Sequence, residues 1–187
     1  MTFARLTLIA AAVAAITACG KKPDTPPPAT STPAAAPAAG ETVVKIGHAA
    51  PLTGSIAHLG KDNENGARLA IDEINAAGLE IGGRKIRLEL VSEDDQADAK
   101  TATTVAQRLV DAKVSGVVGH LNSGTTIPAS KIYSDAGIPQ ISGSATNPKY
   151  TQQGFKTAFR VMANDVQQGK VLGEFAVQQG VRTVAIV

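Results

Sequence analysis

Three short segments of the sequence carry side chains that could bind a small polar molecule. They are residues 49–60, 120–126 and 142–150, all rich in Ser, Thr, Asn or Gly. A helix that begins within the middle segment would add free backbone N–H groups and the positive end of its dipole. The last two segments carry no cation before Lys131 and Lys149, so a carboxylate fits them better than a phosphate. Taken singly, each hydroxyl residue could instead be a helix cap or a turn former.

Motifs for covalent chemistry are absent from the sequence. Residues 54–61 resemble a phosphate-binding loop, but the glycine spacing is wrong and Asp62 replaces the required Ser or Thr. Neither G-x-S-x-G nor G-x-G-x-x-G occurs, and the aspartates of residues 94–98 lack the glycine and glutamate of a calcium loop. His48 and His120 end neighbouring predicted strands without a third metal ligand in view. We therefore expect no catalytic residues, metal or cofactor, and an enzyme remains only an alternative.

Alternating strands and helices must position these segments. The apolar patterns predict strands at 43–47, 84–92, 116–119, 138–141 and 183–187, an extended piece at 158–161, and helices at 62–77, 98–112, 125–135 and 165–179. This order is typical of an α/β fold with a doubly wound parallel sheet. The alternating second strand suits an edge, which gives the order 2-1-3-4. Ligands of such sheets bind beyond the carboxyl ends of the strands, where the three segments begin.

The predicted helices show which side chains should face the sheet. In the second helix, Ala102, Val105, Ala106 and Leu109 are expected to point inward. The first helix carries an apolar stripe from Ala67 to Ala77. Pro128 is tolerable in the third helix if it lies in the first turn.

Composition excludes several classes of protein. The net charge is +2 with both signs mixed along the chain, so a nucleic-acid-binding surface is not expected. The single cysteine excludes an intramolecular disulfide and a CxxC-type metal site or redox pair. No apolar run reaches 18 residues, so the sequence predicts no membrane-spanning helix.

The N-terminal residues have the pattern of a secreted protein. Arg5 precedes an apolar run of 11 residues from Leu6 to Ile16, and Ile-Thr-Ala-Cys at 16–19 resembles a bacterial lipobox. This predicts a lipoprotein signal peptide at 1–18 and a lipidated Cys19; an ordinary signal peptide cleaved after Ala18 is the alternative. Residues 19–41 are rich in Pro and Ala and predict an extended tether. Gly20 rather than Asp after the cysteine resembles lipoproteins sent to the outer membrane of Gram-negative cells.

The segments themselves resemble one family. The run from Gly119 to Ser130, GHLNSGTTIPAS, is similar to the leucine/isoleucine/valine-binding proteins of branched-chain amino-acid ABC transporters. So are IG…PLTG at 46–54, the helix pattern GA…DEIN at 66–75 and SATNP at 144–148. The resemblance covers residues 43–187 and implies a type I periplasmic-binding lobe.

The resemblance also implies roles for particular residues. Ser123 would bind the carboxylate of an amino acid through its hydroxyl and backbone, Ser144 would offer backbone groups, and Thr146 would use its hydroxyl. Leu59 lies where relatives often place an aromatic residue against the ligand. Ala145 and Asn122, within the same motifs, complete the expected ligand-binding set.

In full, the resemblance implies an extracytoplasmic solute-binding protein that performs no covalent chemistry. It would deliver a branched-chain-type amino acid, or a similar small carboxylate or amide, to ABC permease subunits. A lipid anchor would be its only contact with the membrane. A ligand-sensing regulatory module on the same fold is the alternative.

Family members have two lobes. Residues 42–163 are therefore expected to form an incomplete N-terminal lobe and residues 164–187 the start of a second, which makes the chain a fragment. A genuine single-lobe protein is the alternative.

Overall fold

The computed structural model describes residues 40–185, and these residues form an α/β fold. The predicted signal peptide, Cys19 and most of the predicted tether lie outside the described residues. The strands are β1 (Thr42–Ala50), β2 (Leu79–Ile81), β3 (Arg84–Asp94), β4 (Gly116–Gly119), β5 (Gln140–Ser142) and β6 (Ala158–Arg160). The helices are α1 (Ala57–Ala77), α2 (Ala99–Asp111), α3 (Ser123–Asp135), α4 (Lys149–Gln152) and α5 (Asp165–Gln178).

All six strands belong to one sheet with the order β2-β3-β1-β4-β5-β6. β1 lies parallel to both β3 and β4, and Ile46 of β1 pairs with Leu90 on one side and Gly116 on the other. β5 and β6 continue the parallel arrangement, and only β2 is antiparallel. The predicted doubly wound sheet and its order 2-1-3-4, here β3-β1-β4-β5, are confirmed.

The main core lies between one face of the sheet and helices α2 and α3. Its fully or almost fully buried members are Ala49, Val105, Ala106, Leu109, Val114, Val117, Ala129 and Tyr133. All four side chains of α2 that were predicted to point inward are completely buried. The α2 helix begins where Asp98 caps it, because the Asp98 carboxylate accepts a hydrogen bond from the backbone N–H of Thr101 at 2.7 Å.

Helix α1 covers part of the opposite face of the sheet. The Asn75 amide donates to the carbonyl of Leu88 at 2.9 Å and accepts from the backbone N–H of Leu88 at 2.8 Å, which fixes the helix to the outer side of β3. The predicted apolar stripe of α1 is only partly correct, since Ile71 is buried but Ile74 is 40% exposed. A cavity of about 520 Å³ lies between this part of α1 and Ile46, Leu88 and Val118 of the sheet.

Several predicted boundaries are wrong. Helix α1 begins at Ala57 rather than residue 62, and α3 begins at Ser123 rather than 125, so Pro128 lies beyond the first turn. Because proline has no N–H, α3 lacks one internal hydrogen bond there, and the buried Ala129 and Tyr133 hold the helix in place instead.

The ends of the sheet also differ from the sequence prediction. β2 was not predicted, and it pairs with the first residues of β3 from Arg84 to Ile86, so β3 is not the outermost strand there. Its hairpin depends on Gly82 and Gly83, which both have positive φ. Residues 183–185 form no strand, contrary to the prediction for 183–187, and residues 186–187 lie outside the described range. No helix within residues 40–185 has the length and apolar character needed to cross a membrane.

Candidate ligand-binding site

A cleft of about 670 Å³ lies at the carboxyl ends of β1, β4 and β5. It is lined by Leu59, Asp62, Asn63, Leu121, Asn122, Ser123, Ser144 and Thr146. The structure thus brings together five of the six predicted ligand-binding residues. This is the position at which the strand order reverses direction, and α/β sheets commonly bind ligands there.

One wall of the cleft is the N-terminus of α3. Asn122 is the N-cap, and its carbonyl accepts the backbone N–H groups of Thr125 and Thr126 at 3.1 and 2.9 Å. Within the described residues, the backbone N–H groups of Ser123 and Gly124 have no hydrogen-bond partner. The Ser123 hydroxyl accepts from the N–H of Asn147 at 3.2 Å, which leaves its own proton free to donate. These donors, together with the helix dipole, favour an anionic group.

The loop after β5 forms the neighbouring wall. The Ser144 hydroxyl donates to the carbonyl of Leu121 at 2.7 Å and so joins this loop to the one after β4. Ala145 is fully buried, and its N–H donates to the Ser142 hydroxyl at 3.0 Å, so the structure does not bring it to the cleft surface. The Thr146 hydroxyl has no partner within residues 40–185, whereas its carbonyl accepts from the N–H of Asp165 at 2.9 Å.

A buried polar cluster lies beneath these two walls. His120 is fully buried, and its imidazole contacts the Asp95 carboxylate at 2.7 Å through Nδ1 and the Tyr133 hydroxyl at 3.1 Å through Nε2. The His120 carbonyl also accepts from the Ser142 hydroxyl at 2.8 Å. His120, in the loop after β4, therefore contacts both the loop after β3 and the end of β5. Burial, followed by the Asp95 charge, raises the pKa of the Tyr133 phenol above its ordinary value, so Tyr133 stays protonated.

Comparison with known proteins places this chain in a family. The sequence pattern of the family described as "Periplasmic binding protein" matches residues 43–187. The chain belongs to the periplasmic binding protein family. The match includes every residue that lines the cleft.

Relatives of this periplasmic binding protein include proteins whose names describe amino-acid binding. It is 47% identical over 135 residues to the "Amino acid binding protein" of Pseudomonas aeruginosa, a match that covers 72% of this chain and 35% of the relative. It is 44% identical over 132 residues to "Leu/Ile/Val-binding protein homolog 1" of Brucella abortus, with 71% of this chain and 35% of the relative covered.

A solved structure shows the same fold. The branched-chain amino acid transporter substrate binding protein LivJ from Streptococcus pneumoniae, in complex with isoleucine, has a TM-score of 0.66 and 38% identity. That match covers 73% of this chain and 38% of LivJ. The present chain therefore spans about 35% of the length of the curated relatives that it matches.

The wall formed by α1 was not fully predicted for this periplasmic binding protein. Leu59 was expected in the site, but Asp62 and Asn63 were assigned only to the start of a helix. Once α1 begins at Ala57, positions 59, 62 and 63 have the i, i+3, i+4 spacing of one helical face. This spacing could have identified Asp62 and Asn63 from the sequence. The predicted helix began at residue 62, however, and so did not include Leu59.

The loop after β1 is held by a carboxylate. Burial raises the pKa of the Asp94 carboxyl, but the hydroxyl of Thr53 and the backbone N–H groups of Gln96 and Leu52 donate to it, and the net pKa is lowered. Asp94 is therefore ionised at neutral pH. It fixes the entrance to α1 and, through it, the position of Leu59 in the cleft.

No metal centre accompanies the cleft in the part of the chain that the structure describes. Within residues 40–185, no group of three His, Cys, Asp or Glu side chains is placed to hold a metal ion. His48 and His120 are both fully buried and hydrogen-bonded, so neither lines the cleft. The cleft itself presents only hydroxyls, amides, one carboxylate and two leucines.

Proposed function

We propose that this chain supplies one ligand-binding lobe of an extracytoplasmic solute-binding protein that serves an ABC importer. Its ligand would be an amino acid of the branched-chain type, or a similar small carboxylate or amide. Support comes from the relatives, whose names describe amino-acid binding, and from LivJ, which was solved with isoleucine. ABC permease subunits would be the partners, and the location would be the periplasm or cell envelope.

The observation that carries the proposal is the set of unused donors at one end of the cleft. Ser123, with its free N–H and hydroxyl, and Thr146, with its free hydroxyl, line the same cleft, and no lysine or arginine lines it. The free N–H of Gly124 follows Ser123 in the first turn of α3. Uncharged donors at a helix N-terminus suit the single charge of a carboxylate. Ser144 would bind through its free carbonyl, since its hydroxyl is already used on Leu121.

The cleft is open to solvent, as expected if this lobe forms only one half of a binding site that a second lobe encloses. Lobe closure over the ligand would supply the remaining contacts, and the hydroxyls and N–H groups of this lobe would be preorganised for the carboxylate. No covalent step is proposed, because the Asp95–His120–Tyr133 cluster is buried below the cleft and does not reach its surface.

Calorimetry on the full-length protein, in which a second lobe can close over the ligand, tests the proposal. We expect heat from amino acids of about branched-chain size, or from other small carboxylates or amides, and none from inorganic phosphate. If no amino acid, carboxylate or amide binds, the proposal is overturned.

The membrane anchor is a separate part of the proposal. Cys19 within the lipobox-like Ile-Thr-Ala-Cys would be lipidated, with residues 19–41 as the tether and 1–18 removed. Substitution of Cys19→Ser should move the protein from the membrane fraction to the soluble fraction of secreted material. If the variant stays with the membrane, lipidation of Cys19 is not what holds the protein there.

A further inference from the structure

Asn63 is a polar residue of the cleft that neither the sequence motifs nor the family assignment explains. It lies in the second turn of α1, and it lines the cleft together with Leu59 and Asp62 of the same helix. Its side chain reaches across the floor, because a Cβ placed on Gly143 of the loop after β5 would lie 3.9 Å from Asn63 Nδ2.

One end of the Asn63 amide is fixed by a buried histidine. His48 Nε2 lies 3.1 Å from Asn63 Oδ1, and since an amide oxygen only accepts, Nε2 carries the proton. His48 Nδ1 lies 3.1 Å from the Ser92 hydroxyl, which donates to it. Burial lowers the pKa of His48, and the neighbouring Asn63 and Glu64 only partly oppose this, so the ring is neutral as this arrangement requires.

The other end of the amide, Asn63 Nδ2, is available to a ligand in the cleft. Within residues 40–185, Asn63 Nδ2 has no hydrogen-bond partner, although the side chain is only partly exposed. A donor that is held by a buried ring and has no partner of its own is preorganised for a ligand atom, so little side-chain freedom is lost on binding.

We propose that Asn63 is a specificity-determining residue, which His48 positions to donate a hydrogen bond to a polar group of the ligand other than its α-carboxylate. The ligand class is an amino acid whose side chain carries a hydroxyl or amide oxygen. This inference rests on the proposed function, because it takes the α3 N-terminus as the place of the carboxylate.

Pairs of ligands with the same shape test the assignment. Threonine and valine differ by a hydroxyl in place of a methyl group, and asparagine and leucine are similarly matched. For the full chain, Asn63→Leu should shift the affinity ratio by about three- to tenfold against the polar member of at least one pair, as expected for one lost hydrogen bond. The apolar member should bind as before or slightly better. Asn65→Leu, on the exposed side of the same helix, is the matched control and should leave both ratios unchanged.

A second variant tests the positioning role of His48. His48→Phe keeps an aromatic ring but removes the bond to Asn63, so it should shift the same ratio while the affinity for valine or leucine changes by less than about twofold. A purely structural role would weaken all ligands together.

The outcomes separate the two proposals. If the unmodified chain binds amino acids but Asn63→Leu leaves both ratios unchanged, Asn63 is not a specificity residue and the proposed function stands. If the unmodified protein binds another small carboxylate or amide but no amino acid, this inference fails and the proposed function stands. If it binds none of these, both fail.

Discussion

At the scale of single residues, the hydroxyls near the cleft divide into two groups. Ser142 and Ser144 donate to the carbonyls of His120 and Leu121, so they hold loops together. Ser123 and Thr146 keep a free proton and line the cleft. The same chemical group, a side-chain hydroxyl, therefore serves structure at two positions and is open to a ligand at the other two.

Removal of the Ser123 hydroxyl should weaken binding without unfolding the lobe. For Ser123→Ala we expect roughly tenfold or greater loss of affinity for an amino-acid ligand, because a hydrogen bond to a charged carboxylate contributes about 1.5–3 kcal/mol. Calorimetry of the variant and the unmodified protein measures this loss of affinity. The control is Ser134→Ala near the far end of α3, which should bind normally. Equal affinities for the two variants would contradict the role given to Ser123.

His48 should make stability depend on pH in a defined window. Its pKa is lowered by burial, with Glu64, Asp95 and His120 as the charged or titratable neighbours that modify it. In the unfolded chain His48 binds a proton as the pH falls below about 6.5, whereas in the folded chain the buried His48 stays neutral to a lower pH. The free energy of unfolding therefore falls as the pH drops from about 6.5 toward the lowered pKa of folded His48.

Urea unfolding at pH 7.5 and 5.5 measures this effect. His48→Gln should lower stability at pH 7.5 but show a smaller loss between the two pH values than the unmodified chain. The carboxyls of Asp94 and Glu64 have lowered pKa values, so they stay ionised throughout this range and do not obscure the result. An equal loss in both proteins would show that His48 does not carry the effect.

At the scale of elements, the close approach of α1 to the loop after β1 positions the α1 wall of the cleft. Gly60 in the first turns of α1 is buried against Pro51, and a Cβ at this position would overlap the Pro51 carbonyl oxygen. A glycine is needed here for space rather than for backbone freedom. Because Leu59 and Asn63 lie close to Gly60 in the same helix, any displacement of α1 also moves the α1 wall of the cleft.

Two glycines of α1 should therefore respond in opposite ways to the same change. Gly60→Ala should destabilise the chain by about 2 kcal/mol or more, because the backbone of α1 or of the β1 loop must move. Gly66→Ala, where no atom lies within 4 Å, should stabilise it by up to about 1 kcal/mol through helix propensity. Thermal or urea unfolding measures the free energy of unfolding of both variants. A Gly60→Ala protein as stable as the unmodified chain would contradict the close contact with Pro51.

The sequence predicted elements well where local signals and packing agree. Helix α2 has a capping Asp98 and a stripe of four residues that are all buried, and its bounds were correct within a residue. The prediction failed where tertiary contacts decide. β2 has three residues and pairs with β3, and the first turns of α1, which the sequence placed in a loop, pack against Pro51 at Gly60.

The candidate site was predictable in part for the same reason. The loops after β4 and β5 follow clear strands, so the strand pattern located both loops. Within them, Ser123, Ser144 and Thr146 were singled out by the family resemblance. Asp62 and Asn63 depend on where α1 starts, and the bond between His48 and Asn63 joins residues 15 positions apart whose contact no periodicity reveals.

At the scale of the whole molecule, burial is unevenly distributed over residues 40–185. Four side chains of α2 are fully buried, whereas no residue of α5 is buried. Exposed apolar side chains of α5 include Leu172 at 66% and Phe175 at 58%. Local stability should follow this distribution, because opening α2 exposes core surface and opening α5 exposes almost none.

Hydrogen exchange should show this gradient directly. Amides in the middle of α5 should exchange at least about 100-fold faster than those in the middle of α2, once corrected for intrinsic rates, since the opening free energies should differ by several kcal/mol. Mass spectrometry of peptides from 99–111 and 165–178 makes the comparison. Equal protection of the two helices would mean that α5 is covered in solution.

The bond between Thr146 and Asp165 has a practical consequence. Thr146 presents its hydroxyl to the cleft while its carbonyl holds the first residue of α5 at 2.9 Å. A dye attached to an exposed side chain in the first turn of α5, such as Gln168, would lie three residues from Asp165, which is bonded to this cleft-lining threonine. We therefore expect this turn to be a suitable attachment point for a fluorescent sensor that reports cleft occupancy from outside the cleft.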